Sequence, residues 1–293
     1  MLTSEMIRKI RRIEITTSRV VQEAVAGRYL SAFKGRGMEF EEVRQYEVGD
    51  DIRTIDWNVS ARAGSPHIKL FREERELTVM LLVDLSRSLA FGSRAQLKRD
   101  LVAEVAATLA FSATGNNDKV GLLLFSDRIE RHVPPRKGRR HALRIVRDLL
   151  AHTAEGRGTS LSTALDELNR VQKRRAVVFV VSDFLDEGWE RPLAVARSRH
   201  DVIPVRIEDP LESTLPNVGL LEVEDLETGE VAVLDTANRR VRDAYERKAT
   251  ERRLGFEHAI RRMRIEPLML STGEDPIAPI TNYFRRREAR RSR

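Results

Sequence analysis

Cysteine is absent from the 293 residues, which excludes disulfides, thiolate zinc sites and thiol nucleophiles and suits a reducing compartment. Aromatic residues are scarce, at 5%, and are not interleaved with basic ones as a base-stacking surface requires. No apolar run reaches the roughly 18–20 residues that span a bilayer. The opening stretch, MLTSEMIRKIRRIEI, lacks the continuous apolar centre of a secretion signal. The expectation is a soluble, cytoplasmic protein without a transmembrane segment.

Several catalytic signatures are missing too. GRGTS and RKGRRH lack the Gly-Lys-Ser/Thr ending of a phosphate-cradling loop, and no Gly-x-Ser-x-Gly elbow occurs. The six histidines show no zinc-ligand spacing. FKGRGMEF, with Gly35 and Gly37, has no strand before it and is a loop rather than a dinucleotide fingerprint.

Hydrophobic residues make up 41% of the chain, enough for a sizeable core, and charged residues 33%. The formal charge is +7, and six of the last nine residues are Arg. Residues 285–293 are read as a solvated Arg-rich tail. Nucleic-acid or membrane-surface binding through it is the weaker alternative.

From Thr78 onward, short apolar runs alternate with amphipathic segments. TVMLLV (78–83), KVGLLLF (119–125), AVVFVVS (176–182), DVIPVRI (201–207) and EPLML (266–270) mostly lack in/out alternation, as strands buried on both faces do. Pro204 removes a ladder donor, so its strand is expected near an edge. Between the strands, Leu97, Leu101, Val105 and Leu109 mark one helix face, with Ser93 and Gln96 in capping-box spacing before it. RRHALRIVRDLL and SLSTALDELNRVQ repeat the helical pattern. The fold class is α/β: a doubly wound, mainly parallel sheet flanked by helices, with an N-terminal extension. Residues 219–235 alternate with period two around Thr228-Gly229 and read as a hairpin insertion. A charged helix over about 237–263 follows. The domains expected are 1–77, starting with one or two basic helices, then 78–284, then the tail.

In such a sheet, ligands sit beyond the strand C-termini at a topological switch point. Asp84 and Asp183 are each the first charge after a buried run, so both carboxylates emerge at that edge. Ser86 and Ser88 follow Asp84, and GRGTSL brings Thr159 to a helix start. Oxygen donors without His or Cys suit Mg²⁺ or Mn²⁺. The alternative is that the hydroxyls cap helices and the acids close strands.

Asp84-x-Ser86-x-Ser88, with Thr159 and Asp183, resembles the metal-ion-dependent adhesion site of von Willebrand factor type A domains. The resemblance implies a three-layer α/β domain over about 78–210. It also implies a metal held by Asp84, Ser86, Ser88, Thr159 and Asp183, completed by a carboxylate from a protein partner. Upstream, VRQYEVGDDIRTIDWNVSAR resembles the signature of the bacterial "domain of unknown function 58" family, through Arg44, Tyr46, Gly49, Asp50, Asp51, Arg53, Ile55, Asp56, Trp57, Ala61 and Arg62. Val48 stands where that family usually has Pro. The family resemblance implies a MoxR-type AAA+ ATPase partner and a chaperone-like or assembly role.

On its own residues, this segment is a structural collar or a partner-binding surface. Gly49 makes a turn, Asp50, Asp51 and Asp56 face Arg44, Arg53 and Arg62, and Trp57 anchors the loop by apolar area. The function expected is non-enzymatic, metal-dependent protein binding. The alternative is a Mg²⁺-dependent phosphohydrolase. Haloacid-dehalogenase-like phosphatases, though, want a second Asp where this chain has Ser86.

Overall fold

The computed structural model describes residues 26–33, 39–72, 76–93, 96–156, 158–226 and 229–291. The chain divides into two compact units, 33–76 and a larger one of 1–32 with 77–293. The basic helices expected before residue 26, Gly35, Gly37 and Thr228 lie outside the described residues. Among the described residues no helix is long and apolar enough to cross a membrane.

Helix α1 (Ala26–Phe33) carries Tyr29 into the core of the larger unit, edge-on to Phe284 with ring centroids 6.1 Å apart. In the smaller unit, β1 (Glu39–Gln45) pairs antiparallel with β2 (His67–Arg72), and Gln45 lies opposite His67. Tyr46 N donates to Pro66 O at 2.9 Å, closing the loop between the strands. That loop holds a 3₁₀ turn at Ile52–Thr54 and helix α2 (Trp57–Ala63).

The larger unit is built on six strands: β3 (Thr78–Asp84), β4 (Lys119–Phe125), β5 (Ile129–Arg136), β6 (Val177–Ser182), β7 (Asp201–Glu208) and β10 (Leu268–Ser271). Their order is β10-β7-β6-β3-β4-β5, all parallel except β5. The expected doubly wound α/β fold is present. Residues 79–83 and 177–181 are buried, because helices cover both faces of the sheet. On one face, Met80, Leu82, Leu123, Val178 and Val180 pack against helices α5 (Leu161–Val171) and α6 (Glu190–Arg199), and against Phe256 and Ile260 of α7 (Arg239–Arg262). Alternation turns Val79, Leu81 and Val83 to the other face. There α3 (Lys98–Gly115) and α4 (Arg139–Ala151) pack on each other and on the sheet.

One local expectation holds, one fails, and one strand was unforeseen. Pro204 lies near an edge as expected, because β7 is second from the end, between β6 and the edge strand β10. On the β10 side pairing begins only at Val205. The Ser93–Gln96 capping box does not form. Helix α3 starts at Lys98, and Ser93 instead donates its N–H and hydroxyl to the Asp209 carboxylate at 2.9 and 2.5 Å. A charged acceptor outcompetes a helix cap for that hydroxyl. Strand β5, with Pro134 and Pro135 in it, was not anticipated; it occupies a sheet edge, where missing donors cost least.

The expected hairpin is present as β8 (Leu220–Glu224) and β9 (Val231–Asp235), with Leu221 opposite Leu234. The long charged helix is α7. Residues 285–291 continue α8 (Ile277–Arg291) instead of forming a free tail, and Arg286 and Arg290 both pair with Glu266 at 2.8 Å.

Candidate functional site

The chain runs from β3 to β4 on one side, then crosses to β6 on the other. The switch point therefore falls between β3 and β6. Asp84 ends β3 and Asp183 follows β6, so both acids stand at this point, 0% and 2% exposed.

Asp84 Oδ1 accepts from Ser86 N at 2.7 Å, and Oδ2 from the Ser182 hydroxyl at 2.7 Å. Burial, and then the charge of Asp183, push the Asp84 carboxyl up to about 7, against the pull of hydrogen bonds from the Ser182 hydroxyl and from the backbone and side chain of Ser86. The Ser86 and Ser88 hydroxyls lie 2.9 Å apart. Ser86 occupies the cap position of the 3₁₀ turn Arg87–Ala90, but its side chain makes no capping bond. Capping does not account for its hydroxyl.

Asp183 Oδ2 accepts from Lys98 Nζ at 3.0 Å, and Oδ1 from Leu185 N at 3.3 Å. Lys98 opens α3 with its side chain 0% exposed, and Nζ also donates to Glu212 Oε1 at 2.5 Å. Burial works against the ammonium charge, but Asp183 and Glu212 outweigh it and hold the Lys98 pKa above its usual value.

Thr159 lies just before α5, whose cap is Ser160 rather than Thr159. Glu130 holds this loop. Its carboxylate accepts from the Ser126 hydroxyl (2.6 Å), Gly156 N (2.9 Å), Glu155 N (3.0 Å) and His152 Nε2 (3.1 Å). Burial opposes its charge, yet these donors bring the Glu130 pKa down to about 2. A Cβ at Gly156 would stand 2.1 Å from Ser126 Oγ, so only glycine fits that approach. Leu161 N donates to Asp186 at 2.9 Å, tying the start of α5 to the loop after β6.

Ser88, Thr159 and Asp183 line one cavity of about 830 Å³, which extends to the β8–β9 hairpin and α7. Asp84 and Ser86 lie buried beside it, coupled through the contacts above. Among the described residues no group of three or more His, Cys, Asp or Glu could hold a metal. A cation here would depend on hydroxyl oxygens beside two carboxylates. The fit lies in charge: two buried acids adjoin, and Lys98 is engaged by Asp183 and Glu212 and not by Asp84.

The sequence reading missed Ser182, Lys98, Glu212 and Glu130. Ser182 carried a signal, since it directly precedes Asp183 where a hydroxyl is unusual in an apolar strand. The others join the site only through tertiary contacts.

In the smaller unit, Arg44 grips Asp50 with two bonds of 2.8 and 2.7 Å, and Glu47 N donates to the same carboxylate at 2.9 Å. The Arg44 guanidinium thus holds the Asp50 pKa below its ordinary value. Gly49 adopts φ +117°, which the turn requires, and Val48 beside it is 100% exposed. Asp51 caps the 3₁₀ turn through Arg53 N at 3.0 Å, with its pairing to the Arg53 guanidinium looser at 3.6 Å. Asp56 caps α2 through Asn58 N and Val59 N rather than facing Arg62. Trp57 does not anchor the loop. It is 71% exposed, on a short helix none of whose residues is buried.

A family model described as "Protein of unknown function DUF58" matches residues 42–255. An uncharacterized protein of Mycobacterium tuberculosis is 34% identical over 287 residues, spanning 96% of this chain and 90% of its own length. Among solved structures, the conserved hypothetical protein BatB of Bacteroides thetaiotaomicron overlaps 73% of this chain and 99% of its own, at 16% identity and TM-score 0.46. An aerotolerance-related membrane protein of Bacteroides fragilis overlaps the same shares at 15% identity and TM-score 0.48.

Proposed function

The chain belongs to this DUF58 family of unknown function, and from that premise we propose that it is a non-enzymatic, metal-dependent protein-binding module. In this reading Asp84, Ser86, Ser88, Thr159 and Asp183 hold Mg²⁺ or Mn²⁺. A partner's Asp or Glu side chain supplies a further ligand from the cavity. The observation that carries the reading is the pairing of two buried carboxylates at the sheet's switch point with hydroxyls that open on one cavity. Ligands of low total charge leave a bound cation electrophilic, which favours an outside carboxylate. The von Willebrand A-like motif supports the same assignment.

The family resemblance adds a MoxR-type AAA+ ATPase as the partner system, in a chaperone-like or assembly role. The expected site is a docking site rather than a hydrolytic one, since position 86 is Ser where an aspartyl phosphatase wants its second Asp.

Calorimetric titration of Mg²⁺ tests the reading. The wild-type chain should bind with one-to-one stoichiometry, and Asp84→Ala should bind none while keeping its circular dichroism spectrum. Equal affinity in the two proteins refutes the assignment.

A further inference from the structure

Arg206, near the end of β7, is a buried cation that pairs with Glu208 and has two nitrogens, Nε and Nη1, without hydrogen bonds. Its side chain is 7% exposed, and Nε approaches Glu208 Oε1 at 2.9 Å without hydrogen-bond geometry. Nη1 is buried and has no hydrogen-bond partner. Leaving such donors unmet is costly, and a guanidinium has five of them. The side chain is nonetheless held in place: Cζ sits 4.7 Å over the Phe256 ring, which is backed by Phe184 and Trp189 at 5.1 and 5.8 Å. A guanidinium stacked on an aromatic face is oriented for a planar anion such as a carboxylate.

The same side chain lines the 830 Å³ cavity. Across that cavity the hairpin presents Leu221, Val223 and Leu234, half-buried and on one face by their register. Leu211 adds to the apolar lining. Acids line the cavity too: Asp183 and Glu212 hold Lys98, Asp186 holds Leu161 N and Glu208 pairs with Arg206, while Glu224, Asp225 and Glu246 lie towards the hairpin and α7. Arg252 and Arg253 also line the cavity, but Arg206 is held on an aromatic face beside Glu208. An apolar wall with an oriented cation is the composition of a recognition pocket.

We propose that Arg206 is a carboxylate anchor for a protein partner, taking an Asp, Glu or C-terminal carboxylate whose neighbouring apolar side chains rest on the hairpin. This rests on the reading above only in taking the occupant to be a protein. The anchor itself needs no metal.

The test uses the full chain with ¹⁵N-labelled arginine, in EDTA. The probes are acetyl-Leu-Glu-Leu-amide and its Gln analogue. The Arg206 Nε–Hε resonance is assigned by its loss in Arg206→Met. The Glu peptide should shift that resonance and bind roughly ten-fold or more tighter than the Gln analogue, the worth of one charge-assisted contact. Arg206→Met should lose the difference between the peptides. Arg206→Lys, which keeps the charge, should retain part of it and serves if the Met variant does not fold.

Equal response to both peptides, or a still Arg206 resonance at about 10 mM Glu peptide, overturns the anchor. Binding that appears only when Mg²⁺ replaces EDTA, with Arg206 unmoved, also overturns it while leaving the metal reading intact. Binding in EDTA with Arg206 shifted supports the anchor even where Mg²⁺ titrations show no metal site.

Discussion

Replacing Lys98 with Met removes a cation that touches both Asp183 and Glu212. The side chains concerned are 0% exposed for Lys98, 2% for Asp183 and 23% for Glu212. Met keeps most of the apolar stem, so lost packing is minor. The cost comes from stranding two carboxylates, one of them beside buried Asp84. Breaking a buried pair from one side costs about 3–5 kcal/mol. Urea denaturation at pH 7 in EDTA should show a loss of that size. Magnesium then adds a second comparison. A cation at one hundred times its dissociation constant stabilises a protein by about 2.7 kcal/mol. In Lys98→Met, a metal at the site no longer shares Asp183 with an ammonium group, so the gain from Mg²⁺ should exceed that of the wild type. A variant within about 0.5 kcal/mol of wild type in EDTA refutes the pairing energetics. An equal Mg²⁺ gain in both proteins refutes the view that Lys98 and the metal compete for Asp183.

Two further perturbations probe the supports around the site. Glu130 has its pKa lowered from 4.5 to about 2, so its contribution is present above pH 4.5 and is lost as pH falls from there towards 2. Glu130→Gln should therefore be less stable than wild type at pH 7, by at most about 3 kcal/mol, and the gap should shrink to about a quarter of that by pH 2.5; a gap independent of pH contradicts the charge-based account. Trp57→Ala removes a side chain that is 71% exposed. Its thermal unfolding should match wild type within about 0.5 kcal/mol, whereas a loss above about 2 kcal/mol would show that Trp57 is packed after all.

The features legible in the sequence were those with local causes. Unbroken apolar runs ending in Asp84 and Asp183 announced parallel strands and the edge where their carboxylates emerge. The alternation in 219–235 announced the hairpin. Readings failed where a distant residue outbid a local one. Ser93 has the spacing of a helix cap, but Asp209, 116 positions away, takes its hydroxyl. Trp57 looked like an anchor because tryptophan usually buries its area, yet Arg44 and the three Asp residues hold that loop by hydrogen bonds.

The site shows the same division. Its two acids and their hydroxyls follow from strand ends and spacing. Lys98 sits where an amphipathic helix would show an ordinary surface lysine, and only the fold carries it 85 positions across to Asp183. Arg206 was hidden inside a run that reads as pure strand, DVIPVRI. Its place under α7 depends on Phe256, which the sequence gives no reason to pair with it.

The central claim is tested most directly by locating the metal itself. Crystals of the full chain grown with Mn²⁺, measured for anomalous scattering, should show one peak among Asp84, Ser86, Ser88, Thr159 and Asp183. Crystals of Asp84→Ala should show none there. A wild-type map with no peak at that cluster, or with manganese only at some other group of residues, would contradict the account.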